Sequence, residues 1–181
     1  ISSCAAVNGL LSMPERADVL DRVRLGDLGI LIVSPEQLRN RALRVLSRIT
    51  RLKEGATRSF GVVDAGMNDL MRPALYDAYH DILPVREPKP GGARRAVDVV
   101  GPICESSDVF ATQRLLPLLT KDELIAFGTA GAYGASMASE YNGRPLVPEV
   151  MVDGERFAVT RPRPSYEAMI GAQKLPEWMG S

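Results

Sequence analysis

The chain has 181 residues, and its 22 basic and 22 acidic side chains give it a net charge of zero. That balance argues against a nucleic-acid binder that relies on a large positive charge. The length suits one domain, or one and a half, and a hydrophobic content of 45% indicates a folded, soluble protein.

Two residue types limit the chemistry further. The cysteines, Cys4 and Cys104, are too few and too far apart for a disulfide framework, so we expect a reduced, cytoplasmic setting. A single histidine, His80, excludes histidine pairs and histidine-rich metal sites, and it is expected to be a packing or surface residue. We expect no membrane span, since no apolar run approaches roughly 18 residues. We also expect no signal peptide, since the start carries no basic region followed by an apolar stretch.

The first 44 residues predict a β-α-β-α unit, a piece of a parallel α/β sheet. A short apolar strand at 3–7 is followed by a helix that starts near Pro14 and ends at Gly26. "GILIVS" predicts a buried strand, and Ser34 and Pro35 begin a second helix.

From residue 45 onward the patterns predict a mainly antiparallel β section of about six strands. In "VLSRITRLKEG" the alternation places Val45, Ser47 and Ile49 on one side. The clearest signal is a hairpin at 149–162 that turns at Asp153-Gly154. Further strands are predicted within 58–66, 82–85, 96–104 and 122–131, with a polar loop at 86–95.

Two short helices are predicted within this section. Asn68 or Asp69 is expected to cap a helical turn, and Ser165 to cap a closing helix. The stretch 131–145 is rich in glycine and small residues and shows no clear period.

Three motifs carry candidate chemistry. The first is "NDLMRPALY", in which Arg72 and Tyr76 are four residues apart and would share a helix face. An arginine fork and a phenol there could grip a substrate carboxylate. The alternative is a surface ion pair over an apolar turn.

The second motif is Cys104-Glu105, at the end of an apolar strand. Neighbouring residues share a pocket only at a strand end or in a loop. An adjacent carboxylate disfavours the thiolate and so suits a protonated donor rather than an ionised nucleophile. The alternative is a buried cysteine that acts as a small hydrophobe.

The third motif is "GTAGAYGASMASEYN", whose small residues let the backbone approach a ligand closely. Tyr133 lies among them and could stack on, or hydrogen-bond to, a flat ligand. A tight loop with a structural tyrosine is the alternative.

Taken together and in this order, the three motifs closely resemble the C-terminal part of the diaminopimelate decarboxylases, over about 45–178. The resemblance implies an α+β fold class, with a mainly antiparallel β-barrel or sandwich domain like the C-terminal domain of alanine-racemase-like decarboxylases. It also implies pyridoxal phosphate as cofactor, an amino-acid substrate and a homodimer with shared active sites.

The resemblance assigns a role to each candidate residue. Arg72 and Tyr76 would bind substrate, and Cys104 would donate a proton after decarboxylation in the partner subunit's site. Glu105 would hold the distal ammonium of the substrate, and Tyr133 would contact both cofactor and substrate.

The chain also departs from that family. Ser107 stands where the family usually has glycine. No lysine lies in the context of the family's Schiff-base strand, and both the glycine-rich phosphate loop and the Glu-Pro-Gly-Arg segment expected before Val45 are missing.

Residues 3–44 instead resemble part of the first motor domain of a RecQ-type DNA helicase, with "SPEQL" as the matching segment. No phosphate-binding loop or Asp-Glu-Ala-His box is present, so this segment is not expected to hydrolyse ATP. Its arginines could face DNA, although interspersed acidic residues favour a solvated helix face.

We therefore expect two units, a helicase-like fragment at 1–44 and a decarboxylase β domain at 45–181. The chain is expected to be truncated, chimeric and inactive unaided. The alternatives are a non-catalytic β module that pairs with another chain, and a DNA-binding remnant.

Overall fold

The computed structural model describes residues 30–33, 44–153 and 155–179 of the chain. Within these residues, nine strands form one sheet: β1 (Ile30–Val33), β2 (Arg44–Glu54), β3 (Ser59–Val63), β4 (Ile82–Pro84), β5 (Arg94–Val100), β6 (Val109–Pro117), β7 (Leu124–Phe127), β8 (Glu149–Asp153) and β9 (Arg156–Arg161). The helices are α1 (Arg72–Tyr76), α2 (Gly131–Met137) and α3 (Tyr166–Gly171), with 3-10 turns at Tyr141–Gly143 and Glu177–Met179.

Six of the strands curl into a nearly closed barrel. The hydrogen-bonded order runs β6-β5-β3-β2-β7-β4, and only the β3–β5 pair is parallel. Arg114 of β6 donates from Nη1 to the His80 carbonyl, just before β4, at 2.9 Å and so links the two ends. The mainly antiparallel barrel that the sequence predicts is confirmed.

The core fills the inside of this barrel because β2 alternates as predicted. Val45, Ser47 and Ile49 are at most 1% exposed. The rings of Phe110 and Phe127 lie 4.6 Å apart inside, a tilted aromatic contact. Other members of the core come from most of the barrel strands: Val63, Ile82, Val99, Ala111, Leu116 and Ile125.

A smaller apolar cluster lies on the other face of β2. Leu46 and Ala126 contact Val150 and Val152 of β8 there. β1 lies between these strands, antiparallel to β2 and parallel to β8, with Leu31 opposite Glu149. β1 is therefore part of the same sheet as the strands that follow residue 44.

Most predicted strands are present, and one strand was missed. The hairpin joins β8 to β9, but its register pairs Asp153 with Arg156, so the chain turns one residue later than predicted. β6 was not predicted, and together with the separate β8 and β9 it raises the strand number from residue 44 onward above six. Its burial does not alternate, because a register shift and a positive φ at Gln113 (47°) interrupt the strand.

One of the two capping predictions is confirmed and the other is wrong. Ser165 caps α3 as expected, accepting a hydrogen bond from the Ala168 amide at 3.1 Å. The prediction for α1 is wrong: its N-cap is Met71, without a side-chain hydrogen bond, since Asn68 and Asp69 bind other partners.

The remaining expectations concern the N-terminal segment and membranes. The strand predicted at 29–34 is confirmed as β1. The strand at 3–7, both helices before residue 44 and Cys4 lie outside the described residues. None of the described helices has the length and apolar character needed to cross a membrane.

Candidate active site

The substrate-binding candidates of the first motif lie on α1. Pro73 favours the first turn of this five-residue helix, and Asp77 ends it in the left-handed region (φ 53°). Arg72 and Tyr76 stand at its first and last positions, one turn apart as the spacing predicts, and Tyr76 is 62% exposed. Arg72 is half-buried, so one short helix presents both side chains, with its last turn the more exposed.

The second motif lies in the loop that joins β5 to β6, residues 101–108, which we call the Cys104 loop. Cys104 and Glu105 are exposed, so the thiol is not a buried filler. The loop is tightly turned: the Gly101 amide bonds the Asp108 carbonyl at 2.9 Å, and the Glu105 amide bonds the Ile103 carbonyl at 2.8 Å. Neighbouring residues in such a loop can serve one site, as expected.

Tyr133 lies in α2, immediately after β7. The helix is described, but the side chain of Tyr133 lies outside the described part of the structure. Gly134 lies close to the first motif, since a Cβ there would be 3.8 Å from Leu70 Cδ1. The third motif is thereby packed next to the turn that leads into α1.

That turn, residues 64–70, is the point where all three motifs meet. The Met67 amide donates to Asp108 Oδ1 at 2.7 Å, which ties the turn to the Cys104 loop. Asn68 exchanges hydrogen bonds with the backbone of Ser139, through its Nδ2 at 3.2 Å and its carbonyl at 2.9 Å, which ties the turn to the segment after α2.

A buried polar network holds the turn itself. Asp69 accepts from the Gly66 amide at 2.8 Å and from Asn68 Nδ2 at 2.9 Å. Arg144 donates from Nε to Asn68 Oδ1 at 3.1 Å and from Nη2 to the Asp64 carbonyl at 2.5 Å, and it lies 3.7 Å from Asp69 Oδ2. One guanidinium therefore bridges both ends of the turn.

Asp64 connects the network to the barrel. Its Oδ1 accepts from Ser47 Oγ at 2.6 Å and from the Arg48 amide at 2.7 Å. Ser47 Oγ also accepts from the Ala65 amide at 2.9 Å, which explains why a serine occupies an inward position of β2.

Burial raises the pKa of Asp64, Asp69 and Asp108, because desolvation disfavours the charged form. Hydrogen bonds oppose this effect in all three, and the charge of Arg144 opposes it for Asp69 and Asp108. The three carboxyls are buried or half-buried, whereas the candidate residues Tyr76, Cys104 and Glu105 are exposed.

Sequence reasoning did not find this supporting layer. Asn68 and Asp69 were taken for helix caps, while Asp64, Asp108 and Arg144 carried no expectation. The sequence did offer one signal, because an aspartate stands at the end of each of two strands. Asp64 directly follows β3, and Asp108 directly precedes β6. The partners themselves are up to 80 residues apart, and no local pattern reveals them.

His80 is a packing residue, one of the two roles expected for it. It is 1% exposed, and its Nδ1 lies 2.9 Å from the Gly128 carbonyl.

The residues present do not fit a covalently bound pyridoxal phosphate. The chain has four lysines, and all of them are exposed: Lys53, Lys89, Lys121 and Lys174. A Schiff-base lysine is activated by desolvation or by a cationic neighbour within a site. These surface lysines offer no such environment.

Comparisons with known proteins agree with the three motifs. A family model described as "Pyridoxal-dependent decarboxylase, C-terminal sheet domain" matches residues 19–131, more than half of the chain. Diaminopimelate decarboxylase of Zymomonas mobilis is 43% identical over 169 residues, 93% of this chain and 39% of that protein. The Archaeoglobus fulgidus enzyme is 45% identical over 135 residues, 75% of this chain and 32% of that protein.

Solved structures give the same result. Diaminopimelate decarboxylase from M. jannaschii, in co-complex with L-lysine, superposes with a TM-score of 0.69 at 34% identity, over 74% of this chain and 30% of that one. The Helicobacter pylori enzyme, complexed with L-lysine, has a TM-score of 0.65 at 37% identity, over 76% and 32%.

The extent of these matches bears on the length of the chain and on its N-terminal segment. The chain spans only about a third of the length of the relatives it matches. The helicase resemblance of residues 3–44 finds no support, and the sheet-domain match begins inside that segment, at residue 19.

Proposed function

Because the chain belongs to the pyridoxal-dependent decarboxylases, we propose that it forms the substrate-side half of a diaminopimelate decarboxylase active site. The observation that supports this most is the meeting of three separate motifs at the turn 64–70. Tyr76, Cys104 and Glu105 are exposed around that turn and Arg72 is half-buried, so a second unit could approach them there.

In the proposed reaction, meso-diaminopimelate loses carbon dioxide and becomes L-lysine. The bond to the departing carboxylate breaks, and the electron pair left on that carbon takes up a proton from the Cys104 thiol. Solvent then returns a proton to the thiolate. In this family the cofactor supplies the electron sink, so the tasks left to this chain are orientation and delivery of one proton.

Each candidate residue has a task in that reaction. The Arg72 guanidinium and the Tyr76 hydroxyl hold the substrate, for which a planar fork matches a carboxylate. Glu105 holds the distal ammonium, and Tyr133 contacts substrate and cofactor. In the homodimer we propose, Cys104 and Glu105 act in the site of the other subunit.

We propose that the chain does not catalyse this reaction by itself, because all four of its lysines are exposed. The direct test supplies the chain with pyridoxal phosphate and diaminopimelate and follows released carbon dioxide and, after free cofactor is removed by gel filtration, the absorbance of cofactor that stays bound to the chain. We expect neither; carbon dioxide release with a lysine-bound cofactor spectrum would contradict the proposal.

The roles of the residues can be tested in a graft. Residues 45–178 would replace the corresponding part of the Zymomonas mobilis enzyme, to which this chain is 43% identical. We expect the graft to release carbon dioxide and Cys104→Ala to slow it by about 100-fold or more, the usual effect of a lost general acid.

The matched control for that graft is Thr112→Ala, an exposed residue of β6 outside the Cys104 loop, which should leave the rate unchanged. Cofactor absorbance and circular dichroism would show that both variants are assembled. Equal rates for the two variants would remove the proposed proton donor.

A second candidate function, a non-catalytic β module that pairs with another chain, has one observation in its favour. Large apolar side chains near the C-terminal end are exposed: Tyr166, Ile170, Leu175, Trp178 and Met179. Such a surface is typical of a protein interface.

A further inference from the structure

The Cys104 loop is held by two buried residues that flank its exposed part. Ile103 is 7% exposed and Asp108 is 3% exposed, whereas the four residues between them all face solvent. The position of the thiol and of the Glu105 carboxylate therefore depends on what fixes these two anchors.

The Asp108 carboxylate hydrogen-bonds both to its own loop and to the turn that leads into α1. Its Oδ2 accepts from the Ile103 amide at 2.7 Å, in the residue directly before Cys104. Its Oδ1 accepts from the Met67 amide at 2.7 Å, 41 residues upstream in the turn that leads into α1. Hydrogen bonds to an ionised acceptor are about twice as strong as neutral ones, so this carboxylate is a firm link between the two motifs.

Two glycines make room for this link. A Cβ on Gly101 would lie 2.2 Å from Asp108 Oδ2, and a Cβ on Gly66 would lie 2.7 Å from Ile103 Cδ1. Real Cβ atoms do not approach so closely, so the carboxylate and the Ile103 side chain occupy space that only glycine leaves open.

We propose that Asp108 is a positioning residue that sets the Cys104 loop against the turn leading into α1. In doing so it fixes the thiol and Glu105 relative to the helix that carries Arg72 and Tyr76. The inference rests on the proposed function in one respect: it takes Cys104 and Glu105 as the residues that need a fixed position.

The competing explanation is that Asp108 only contributes to stability, and Asp64 provides the matched control. It too is a largely buried carboxylate whose pKa is raised by burial, and it too accepts two strong hydrogen bonds. None of its hydrogen bonds described above reaches the Cys104 loop.

The experiment compares Asp108→Asn with Asp64→Asn in the full chain by hydrogen exchange. An asparagine has one acceptor oxygen, and its amino group cannot accept from a backbone amide, so one of the two links is lost. We expect the Ile103 or the Met67 amide, whichever loses its acceptor, to exchange about tenfold faster in Asp108→Asn. Asp64→Asn should leave those two amides unchanged, even where it lowers the melting temperature equally.

Alkylation of Cys104 by iodoacetamide, followed on its own peptide by mass spectrometry, gives a second readout. A loop that loses its anchor should alkylate at a different rate in Asp108→Asn, while Asp64→Asn should match the unsubstituted chain. Equal effects of the two variants on the loop, or an unchanged loop in Asp108→Asn, would overturn the inference.

Two further measurements apply if Asp108→Asn does not fold. Gly101→Ala keeps the charge but displaces the carboxylate, and it should accelerate the same two amides. In the unsubstituted chain, the Met67 and Ile103 amides should open with one common free energy, since one carboxylate holds both; different opening free energies would overturn the inference.

This test fails separately from the test of the proposed function. It is read on the chain without cofactor or substrate, so an inactive thiol would not alter it. Conversely, if the position of the loop did not depend on Asp108, the result of the graft for the proton donor would still stand.

Discussion

Three aspartates, two of them buried and one half-buried, lie around one arginine at the turn 64–70. Asp64, Asp69 and Asp108 accept hydrogen bonds from backbone or side-chain donors, and Arg144 lies among them. Buried charges are tolerated only when they are paired and hydrogen-bonded. Burial of these carboxyls thus lowers the stability of the fold at neutral pH, while their hydrogen bonds hold the loops in position.

The first prediction at this scale concerns pH. The pKa of each of the three carboxyls is higher in the folded than in the unfolded chain, so the folded protein binds more protons between those values. Their contribution to the free energy of unfolding should therefore be fully present below the unfolded aspartate pKa, about 3.9, and be lost as the pH rises through the folded pKa. Urea unfolding at a series of pH values between the unfolded and folded pKa measures this dependence.

The control for the pH prediction removes one titrating group at a time. Asp69→Asn should flatten the dependence of unfolding free energy on pH, whereas Asp122→Asn, an exposed position, should not. Stability that rises steadily from acid to neutral pH would show that the three carboxyls do not dominate.

Single residues were predictable from the sequence only where a local pattern reports them. The alternation of β2 correctly placed Val45 and Ile49 inside, and Ser165 carried its capping role in its type and position. The network could not be found in this way, since Asp108 and Met67 are 41 residues apart.

Among the elements, the turn 64–70 organises the rest. It follows β3, leads into α1, and receives the Cys104 loop on one side and the segment after α2 on the other. Arg144, from the segment before β8, closes it with three contacts. This convergence makes the turn the element on which the site depends.

The prediction at this scale is that Arg144→Ala loosens the whole site. It removes the guanidinium that lies 3.7 Å from the buried Asp69, and breaking a buried pair costs about 3 kcal/mol or more. Arg95→Ala is the control, because Arg95 pairs with Glu54 on the surface, where such pairs contribute about 0–1 kcal/mol. Urea unfolding gives both values.

Nuclear magnetic resonance adds a local measure to the same pair of variants. Arg144→Ala should shift the amide signals of residues 64–70 and 139, which Arg95→Ala should leave in place. Similar losses of stability in the two variants would mean that the Arg144 contacts contribute little.

Elements were predicted from the sequence to the extent that their period is regular. The hairpin β8–β9 and strands β2, β3 and β7 follow two-residue alternation or continuous apolar runs, and they were found. β6 was missed because a positive φ at Gln113 and a register shift disrupt its period.

At the scale of the whole molecule, the chain corresponds to about a third of its relatives. Its barrel is complete enough to bury a core, yet its C-terminal residues leave large side chains in solvent. Trp178, the only tryptophan, is 80% exposed, and Leu175 is 76% exposed. Exposed apolar surface of this kind favours association, because its burial contributes about 25 cal/mol per Å².

The last prediction is that the chain self-associates through this segment. Sedimentation velocity should show dimers or larger species that grow with concentration, and the Trp178 emission should shift to the blue as they form. Ile170→Glu with Leu175→Glu should weaken association about tenfold or more, since each large apolar side chain contributes about 1.5–3 kcal/mol when buried. Leu118→Glu, at another exposed leucine just after β6, should not. A monomer at every concentration, with the emission of a solvated indole, would contradict the homo-oligomer and leave the exposed segment without that role.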